Sequence, residues 1–348
     1  MNHPIVADAS AAARMSRCLH RRWRTSALAV MASTLVFSAA AQDADRKPAS
    51  PSRSPEMPME VVVPFPRGGS AEHVAGIVAQ SLGQALNRRV TMRNVASGIG
   101  VGAMNDVAEL APREIRIGYV TSTQLVEATL LNKPPGYKPM SEFEWIGIIG
   151  SFGNAVVVGP QETAATFADW LRDVPRRERP QRWGVGAPSA MGTLAARYLE
   201  GALGIRVEFV TYLTADASYE ALRKGQIDAN FDGLPNALEE APAAGGRILA
   251  VTSRERAAVL PSAPAFGERW PGEDFSTFAA LVVSAKEGEA VRARLKSGWY
   301  GVNRAQTARQ RLEAIGITYS GLDGADAVAY MEDQFLRHAR LLARLSKS

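Results

Sequence analysis

Residues 61–70 read VVVPFPRGGS, three β-branched residues followed by a loop of proline and glycine and then by a serine. A β-branched run favours a buried strand, and serine is a good N-cap for a helix. The sequence therefore predicts a strand, a tight loop and a helix that Ser70 caps. Apolar residues continue the helical pattern after the loop, at Val74, Ile77, Val78, Leu82, Ala85 and Leu86.

The loop has the chemistry of an anion-binding site. Gly68 and Gly69 let a ligand approach the backbone, and the start of a helix presents unpaired N–H groups with partial positive charge. Ser70 adds a hydroxyl, so the expected ligand group is a carboxylate or a phosphate. The alternative is an ordinary strand-to-helix turn in which Ser70 only caps.

Short β-rich runs alternate with helical patterns along the rest of the chain. Such alternation is typical of parallel sheets covered by helices, an α/β fold, and 348 residues suffice for two domains. A long amphipathic pattern at 325–345 predicts the last helix. The expected strands are 61–63, 90–93, 115–120, 145–149, 155–158, 183–185, 207–210, 227–231 and 248–252.

The N-terminal residues carry a targeting signal. Five arginines between positions 14 and 24 precede an apolar segment, 27–41, which closes with Ala39 and Ala41 in an A-x-A motif. We expect residues 1–41 to be a cleaved secretory signal peptide, which places the protein in the periplasm, with an uncleaved membrane anchor as the alternative. Residues 42–58, which contain several prolines, should form a flexible tether.

Cleavage changes what the charge and the cysteine count imply. The formal net charge is +5, but residues 1–41 hold five arginines and one aspartate, so the mature chain carries about +1 and does not point to nucleic acid. Cys18 lies in the removed segment, which excludes disulfides and thiol catalysis. Only His73 and His338 remain, too few for a histidine metal cluster. We therefore expect no metal site, and our further expectations are a monomer, no cofactor and no enzymatic activity.

A second glycine-rich loop offers a competing interpretation. Gly98, Gly100 and Ala103 follow a short strand in the dinucleotide-binding pattern. That pattern also needs an acidic residue after the next strand, and residues 117–121 contain none. A nucleotide-dependent enzyme that uses 98–103 is therefore the runner-up hypothesis.

Three further strand ends carry groups that could bind a ligand, because ligands of open α/β sheets bind beyond the carboxyl ends of strands. Thr121 and Ser122 follow one strand, Ser189 follows another, and Asp232 follows a third. Ser189 lacks the G-x-S-x-G context of a nucleophile, so it is expected to donate a hydrogen bond or cap a helix. Asp232 is either a ligand contact or a turn former before Gly233.

Taken together, several segments resemble the Bug-type solute receptors of tripartite tricarboxylate transporters, over essentially all of residues 59–345. The resemblance implies a type II periplasmic-binding-protein-like fold, with lobe 1 formed by 59–154 plus 279–348 and lobe 2 by 155–278, joined by strands that cross near Val158 and Val282. It also implies a cleft between the lobes, a carboxylate held mainly by backbone N–H groups and waters, and delivery to a membrane permease or sensor. The segments that carry it are 63–70, 94–102, 225–235 and 247–253, followed by Leu260 and Pro261.

Two departures from the family pattern fall in lobe 2. Residues 211–214 read TYLT where the family usually shows PYKG, and Gly233 stands where it usually has asparagine. A shifted ligand preference is one consequence, and an adaptor that keeps the fold without binding a solute is the other. The expected ligand-binding residues are Phe65, Pro66, Gly68, Gly69, Ser70, Thr121, Ser122, Ser189, Thr214 and Asp232.

Overall fold

The computed structural model describes residues 56–97, 100–127, 136–186 and 190–345. The signal peptide and nearly all of the tether expected from the sequence lie outside these residues. The strands are β1 (Met59–Val63), β2 (Val90–Asn94), β3 (Ile115–Thr121), β4 (Phe143–Phe152), β5 (Asn154–Val158), β6 (Gln181–Val185), β7 (Val207–Thr211), β8 (Ala229–Gly233), β9 (Arg247–Val251), β10 (Thr277–Ser284) and β11 (Thr318–Leu322). The α-helices are α1 (Ser70–Leu86), α2 (Val101–Ala108), α3 (Pro139–Glu142), α4 (Phe167–Asp173), α5 (Met191–Leu203), α6 (Ala215–Arg223), α7 (Leu234–Ala243), α8 (Phe266–Arg269), α9 (Glu289–Arg304), α10 (Gln306–Ala314) and α11 (Gly324–Leu345).

The first sheet has six strands in the order β11-β4-β10-β3-β1-β2. Strands β1, β2 and β3 run parallel to each other, whereas β10 runs antiparallel to β3 and β4. Val61 and Val63 of β1 are fully buried under α1, whose apolar stripe includes Val74 and Leu82. We call this sheet and the helices that pack on it lobe 1.

The second sheet has five strands in the order β7-β6-β8-β5-β9. Strand β6 runs parallel to β7 and β8, whereas β5 runs antiparallel to β8 and β9. One face is covered by an aromatic cluster in which Trp183 lies 5.2 Å from Phe231 and 5.7 Å from Trp170, between ring centroids. We call this sheet and its helices lobe 2.

The chain passes between the sheets at two adjacent points. It leaves β4 at Phe152 and enters β5 at Asn154, and it returns from lobe 2 just before β10. Asn154 N donates to Thr252 Oγ1 at 2.9 Å, Thr252 N donates to Asn154 O at 2.7 Å, and Asn154 Nδ2 donates to Phe275 O at 3.2 Å. These buried bonds fasten the two crossing segments side by side.

The crossing points near Val158 and Val282 were expected a few residues too late. Val158 ends β5 at the far side of lobe 2, and Val282 lies inside β10 of the first sheet. The expected parallel sheets were also an approximation, because β5 and β10 follow directly from the crossings and enter their sheets in the opposite direction to their neighbours. The nine expected strands correspond to β1–β9, while β10 and β11 were not among them.

None of the helices within the described residues is long and apolar enough to cross a membrane.

Candidate ligand cleft

The carboxyl ends of β1, β2 and β3 meet at one edge of lobe 1. The strands are parallel and in register, so the loops that follow them lie together. Val95 N donates to Val63 O at 2.8 Å, and Asn94 Nδ2 donates to Phe65 O at 3.1 Å. Strand β2 thereby holds the loop that follows β1 in place.

The start of α1 differs from the expected arrangement by one residue. Gly69 is the N-cap and Ser70 is the first helical residue, so Ser70 does not cap the helix. Glu72 N and His73 N donate to Gly69 O at 3.0 and 3.2 Å. The N–H groups of Gly69, Ser70 and Ala71 come before these first helical bonds and have no acceptor within the helix, so they carry its partial positive charge.

One backbone donor of the loop is already engaged. Gly68 has φ +83°, a left-handed conformation that suits glycine, and its N–H donates to Glu72 Oε2 at 2.7 Å. The Glu72 carboxylate thus holds the N–H that Gly68 was expected to offer to a ligand, and Gly68 as a ligand-binding residue stays a prediction. Gly69 remains approachable, since nothing lies within 4 Å of a Cβ placed on it.

Hydrogen bonds fix the end of β3 at the same edge of lobe 1. Gln124 Oε1 accepts from Thr121 N at 3.1 Å and from Thr121 Oγ1 at 2.8 Å. Thr121 is buried and donates to Gln124 from both its N–H and its hydroxyl, and its role as a ligand contact stays a prediction. Ser122 is fully buried, and its Oγ has no hydrogen-bond partner. Of this pair, Ser122 is the one whose hydroxyl proton is not already donated.

Gly100 joins these loops by close packing. It has φ +85° as the N-cap of α2, and a Cβ placed on it would lie 2.6 Å from Pro64 Cβ and 2.8 Å from Gln124 Nε2. The absence of a side chain at Gly100 is thus explained by packing within lobe 1. Gly98, the first glycine of the dinucleotide pattern, lies outside the described residues.

Lobe 2 presents an equivalent edge. Val185 at the end of β6 is level with Thr211 at the end of β7, and Tyr212 N donates to Val185 O at 3.0 Å. Strand β8 runs alongside in the same direction and ends at Gly233. Ser189, expected to bind ligand in the loop after β6, lies outside the described residues.

The polar residues expected to bind ligand at this edge serve helix starts. Thr214 Oγ1 accepts from Ala217 N at 3.4 Å as the N-cap of α6. Asp232 Oδ1 accepts from Gly233 N at 2.7 Å and from Asn236 Nδ2 at 3.4 Å, which is the turn-forming role considered as its alternative. Asp232 therefore shapes the turn from β8 into α7.

The second carboxylate oxygen of Asp232 and the hydroxyl of Tyr219 are both buried, and the two groups interact with each other. Burial raises the pKa of Asp232 to about 6. Burial, reinforced by the Asp232 charge, also raises the pKa of Tyr219 well above its usual value. The ionised Asp232 carboxylate therefore destabilises the folded protein at neutral pH. It lies on the lobe 2 side of the cleft.

The two edges face each other across the binding loop. A Cβ on Gly233 would lie 3.3 Å from Ser70 Oγ and 3.3 Å from Phe152 Cε2, so the two lobes approach each other closely at this point. On the flank, His73 Nδ1 lies 3.8 Å from Glu239 Oε2 of α7. A groove of about 470 Å³ opens there, with Gly69 among its lining residues.

Sequence reasoning did not include Leu213 among the candidate site residues. It lies in the short loop between β7 and α6 and is 88% exposed, the largest exposure among the large apolar side chains that the structure describes. The departure of residues 211–214 from the family pattern was the available signal. The pattern of these residues favours the hydroxyl of Thr214 as the ligand contact.

Two α/β lobes with a cleft at their strand ends define a periplasmic-binding-protein-like fold, and solved structures confirm it. The periplasmic binding protein BugD superposes with a TM-score of 0.74 at 22% identity, covering 84% of this chain and 98% of BugD. Rpa4515 of R. palustris, solved with adipate, has a TM-score of 0.76 at 21% identity over 84% of this chain and 98% of its own. MatC of Rhodopseudomonas palustris, solved with bound malate, has 0.70 at 19% identity over 83% and 100%.

The family follows from the sequence comparison. The family described as "Tripartite tricarboxylate transporter family receptor" matches residues 74–346, so the chain belongs to it. A UPF0065 protein of Agrobacterium vitis, from the TAR-I ttuE-ttuC' intergenic region, is 26% identical over 325 residues, which are 91% of this chain and 90% of that protein. BugT of Bordetella pertussis is 24% identical over 64% of this chain and 68% of BugT. The resemblance to Bug-type receptors is confirmed.

Proposed function

We propose that this receptor captures a small organic acid in the periplasm, with the ligand carboxylate seated at the start of α1. The observation that carries the proposal is the set of N–H groups from Gly69 to Ala71, which have no acceptor within the helix. They lie at the edge of lobe 1 that approaches Gly233 of lobe 2. A helix N-terminus at such a place suits a carboxylate by both hydrogen bonding and charge.

Neighbouring groups support this placement. Phe65 and Pro66 precede the donors in the loop, and Arg67 is exposed beside them and adds a positive charge. The Glu72 carboxylate accepts a hydrogen bond from Gly68 N, and the N–H groups of Gly69, Ser70 and Ala71 stay available to a ligand. Two structural neighbours were solved with adipate and with malate, both carboxylates, which agrees with the chemistry of this loop.

We further propose that the ligand favours closure of the two lobes, with lobe 1 formed by 59–154 plus 279–348 and lobe 2 by 155–278. The buried bonds among Asn154, Thr252 and Phe275 make the crossing segments the natural hinge. The closed, loaded receptor would then deliver its ligand to a membrane permease or report to a membrane sensor. It would act as a monomer and catalyse no reaction.

Native mass spectrometry of protein exported from a Gram-negative host and purified without denaturation tests the proposal. We expect a mass that lacks residues 1–41 and a bound small acid, which calorimetry against mono- and dicarboxylates then identifies. Retention of Cys18 or a cytoplasmic location would contradict export. A bound nucleotide would favour the enzyme hypothesis, and a failure to bind any acid would favour a non-binding adaptor.

A further inference from the structure

The described part of the lobe 2 edge that faces the carboxylate site carries acidic side chains and no basic ones. The described residues at the ends of β6, β7 and β8 are 186 with 190–193, 211–215 and 231–236, and they include no lysine or arginine. Asp232 and, one residue beyond the second segment, Asp216 are the charged residues there. A second carboxylate on the ligand would therefore meet like charge and no cation on this side.

Leu213 occupies the same edge. It follows Tyr212, whose N–H is bonded to the last residue of β6, and it precedes the N-cap of α6. Both chain neighbours are thus held in place, while the Leu213 side chain is 88% exposed. Single exposed leucines are common on protein surfaces, but this one lies on the cleft-facing edge and is the most exposed of the described residues of its kind.

The distance between the two features suits a ligand of moderate length. Gly233 at the end of β8 lies against Ser70, and β7 is separated from β8 by one strand. Strands in a sheet are about 4.8 Å apart, so Leu213 lies roughly 10 Å across the edge from the carboxylate site. A short hydrocarbon chain that starts at α1 can reach it.

We propose that Leu213 is a specificity-determining residue, and that the solute has a single carboxylate and an apolar far end that covers Leu213 in the closed receptor. This inference rests on the proposed function, because it places the carboxylate at the start of α1. Burial of Leu213 by an apolar chain removes hydrophobic surface from water, whereas a second carboxylate at that point would lose hydration with no neighbouring cation to compensate.

Hexanoate and adipate test the inference directly, since they have the same chain length and differ in the far end, a methyl group or a carboxylate. Calorimetry should show that the wild-type protein binds hexanoate more tightly than adipate, by about tenfold or more. Butyrate with succinate, and octanoate with suberate, extend the comparison to shorter and longer chains. The monocarboxylate should be preferred in whichever pair binds.

A charge placed at Leu213 should change the preference. Leu213→Lys supplies a cation for a second carboxylate, so the ratio of hexanoate to adipate affinity should fall by about tenfold or more. Leu213→Met keeps an apolar side chain and should retain the wild-type ratio. Leu336→Lys is the matched control, because Leu336 is an exposed leucine of α11 at 43% exposure and should leave the ratio unchanged.

The outcomes separate this inference from the proposed function. A wild-type preference for adipate, or a ratio that Leu213→Lys does not alter, would overturn the inference while leaving carboxylate capture intact. If no acid of the three pairs binds while another carboxylate does, the inference alone fails. If no carboxylate binds, or if Gly69→Val binds as tightly as wild type, the proposed carboxylate site fails and the inference fails with it.

Discussion

The two edges of the cleft hold the same place in their sheets and use it differently. In lobe 1, polar side chains tie loops to one another, as Asn94 does with Phe65 O and Gln124 does with Thr121, and the helix start at Gly69 stays available. In lobe 2, Thr214 serves a helix start and Asp232 a turn, which leaves Leu213 exposed. The topology of an α/β sheet thus provides the location of a site. The chemistry of the site depends on the groups that do not already cap a helix or form a turn.

The largest expected effect concerns the packed loops of lobe 1. Gly100→Ala should lower the free energy of unfolding by about 3 kcal/mol, because the new Cβ would meet Pro64 and Gln124 at a positive φ. Urea denaturation measures the change. Gly204→Ala is the control, since Gly204 also has positive φ, +62°, but nothing lies within 4 Å of its Cβ. Its cost should be near 1 kcal/mol, and equal costs for both variants would contradict the packing explanation.

A smaller effect should come from Asp232 in lobe 2. Burial raises its pKa from 3.8 to about 6, so the folded state holds a proton that the unfolded state has released between those pH values. Stability therefore falls as the pH rises through this window, and the cost is fully present at neutral pH. Asp232→Asn keeps an acceptor for Gly233 N without the charge.

The amide should raise the free energy of unfolding at pH 7 by on the order of 2 kcal/mol and change it little at pH 4. Urea denaturation of wild type and Asp232→Asn at both pH values provides the comparison. A gain of the same size at pH 4 and pH 7 would show that the ionised Asp232 carboxylate is not the source.

Thr214 should affect stability and not binding. Thr214→Ala removes the acceptor for Ala217 N and should cost about 1 kcal/mol of unfolding free energy, while Thr214→Ser should retain most of it. Ligand affinity, measured by calorimetry, should be the same in all three proteins. A loss of affinity in Thr214→Ala that Thr214→Ser restores would instead make this hydroxyl a ligand contact.

Ser70 should show the opposite behaviour, with the smallest effect. Its hydroxyl does not cap α1 and faces Gly233, so Ser70→Ala should leave thermal stability unchanged. Ligand affinity should fall by up to about 1 kcal/mol, the value of one lost hydrogen bond. If Ser70→Ala is less stable than wild type but binds the ligand equally well, Ser70 stabilises the fold and does not contact the ligand.

Much of this arrangement was predictable from sequence, and the exceptions have physical causes. The β1 loop and α1 combine three local signals, a β-branched run, glycines and helical periodicity, and all three agree. Strand β10 is missing from the expected strands because it is buried on both faces, so its sequence shows no alternation of apolar and polar residues. The sequence predicted only a crossing point near Val282, within this strand. The edge strand β11 is polar and partly exposed, which weakens its pattern further.

The site was less predictable than the fold because it depends on which hydrogen bonds are already made. Sequence identified Ser70 as a cap, but Gly69 holds that position, and nothing in the local pattern showed that Glu72 would occupy the Gly68 donor. The polar groups of Thr214 and Asp232 made them candidate ligand contacts, but in the structure they accept hydrogen bonds from Ala217 N and Gly233 N. Leu213 is a candidate because it is exposed and because it lies at the strand-end edge of lobe 2, and the sequence pattern shows neither property.

The comparison rests on a ligand carboxylate at the start of α1, and isothermal titration calorimetry of Gly69→Val tests that most directly. Gly69 has an extended backbone with open space around its Cβ, so the variant should fold, as circular dichroism can verify. Gly288→Val is the matched control, because Gly288 is also an extended N-cap glycine with open space, at the start of α9. With the acid that wild type binds most tightly, Gly69→Val should lose at least about tenfold in affinity and Gly288→Val should lose none. A folded Gly69→Val protein that binds as tightly as wild type would place the carboxylate elsewhere.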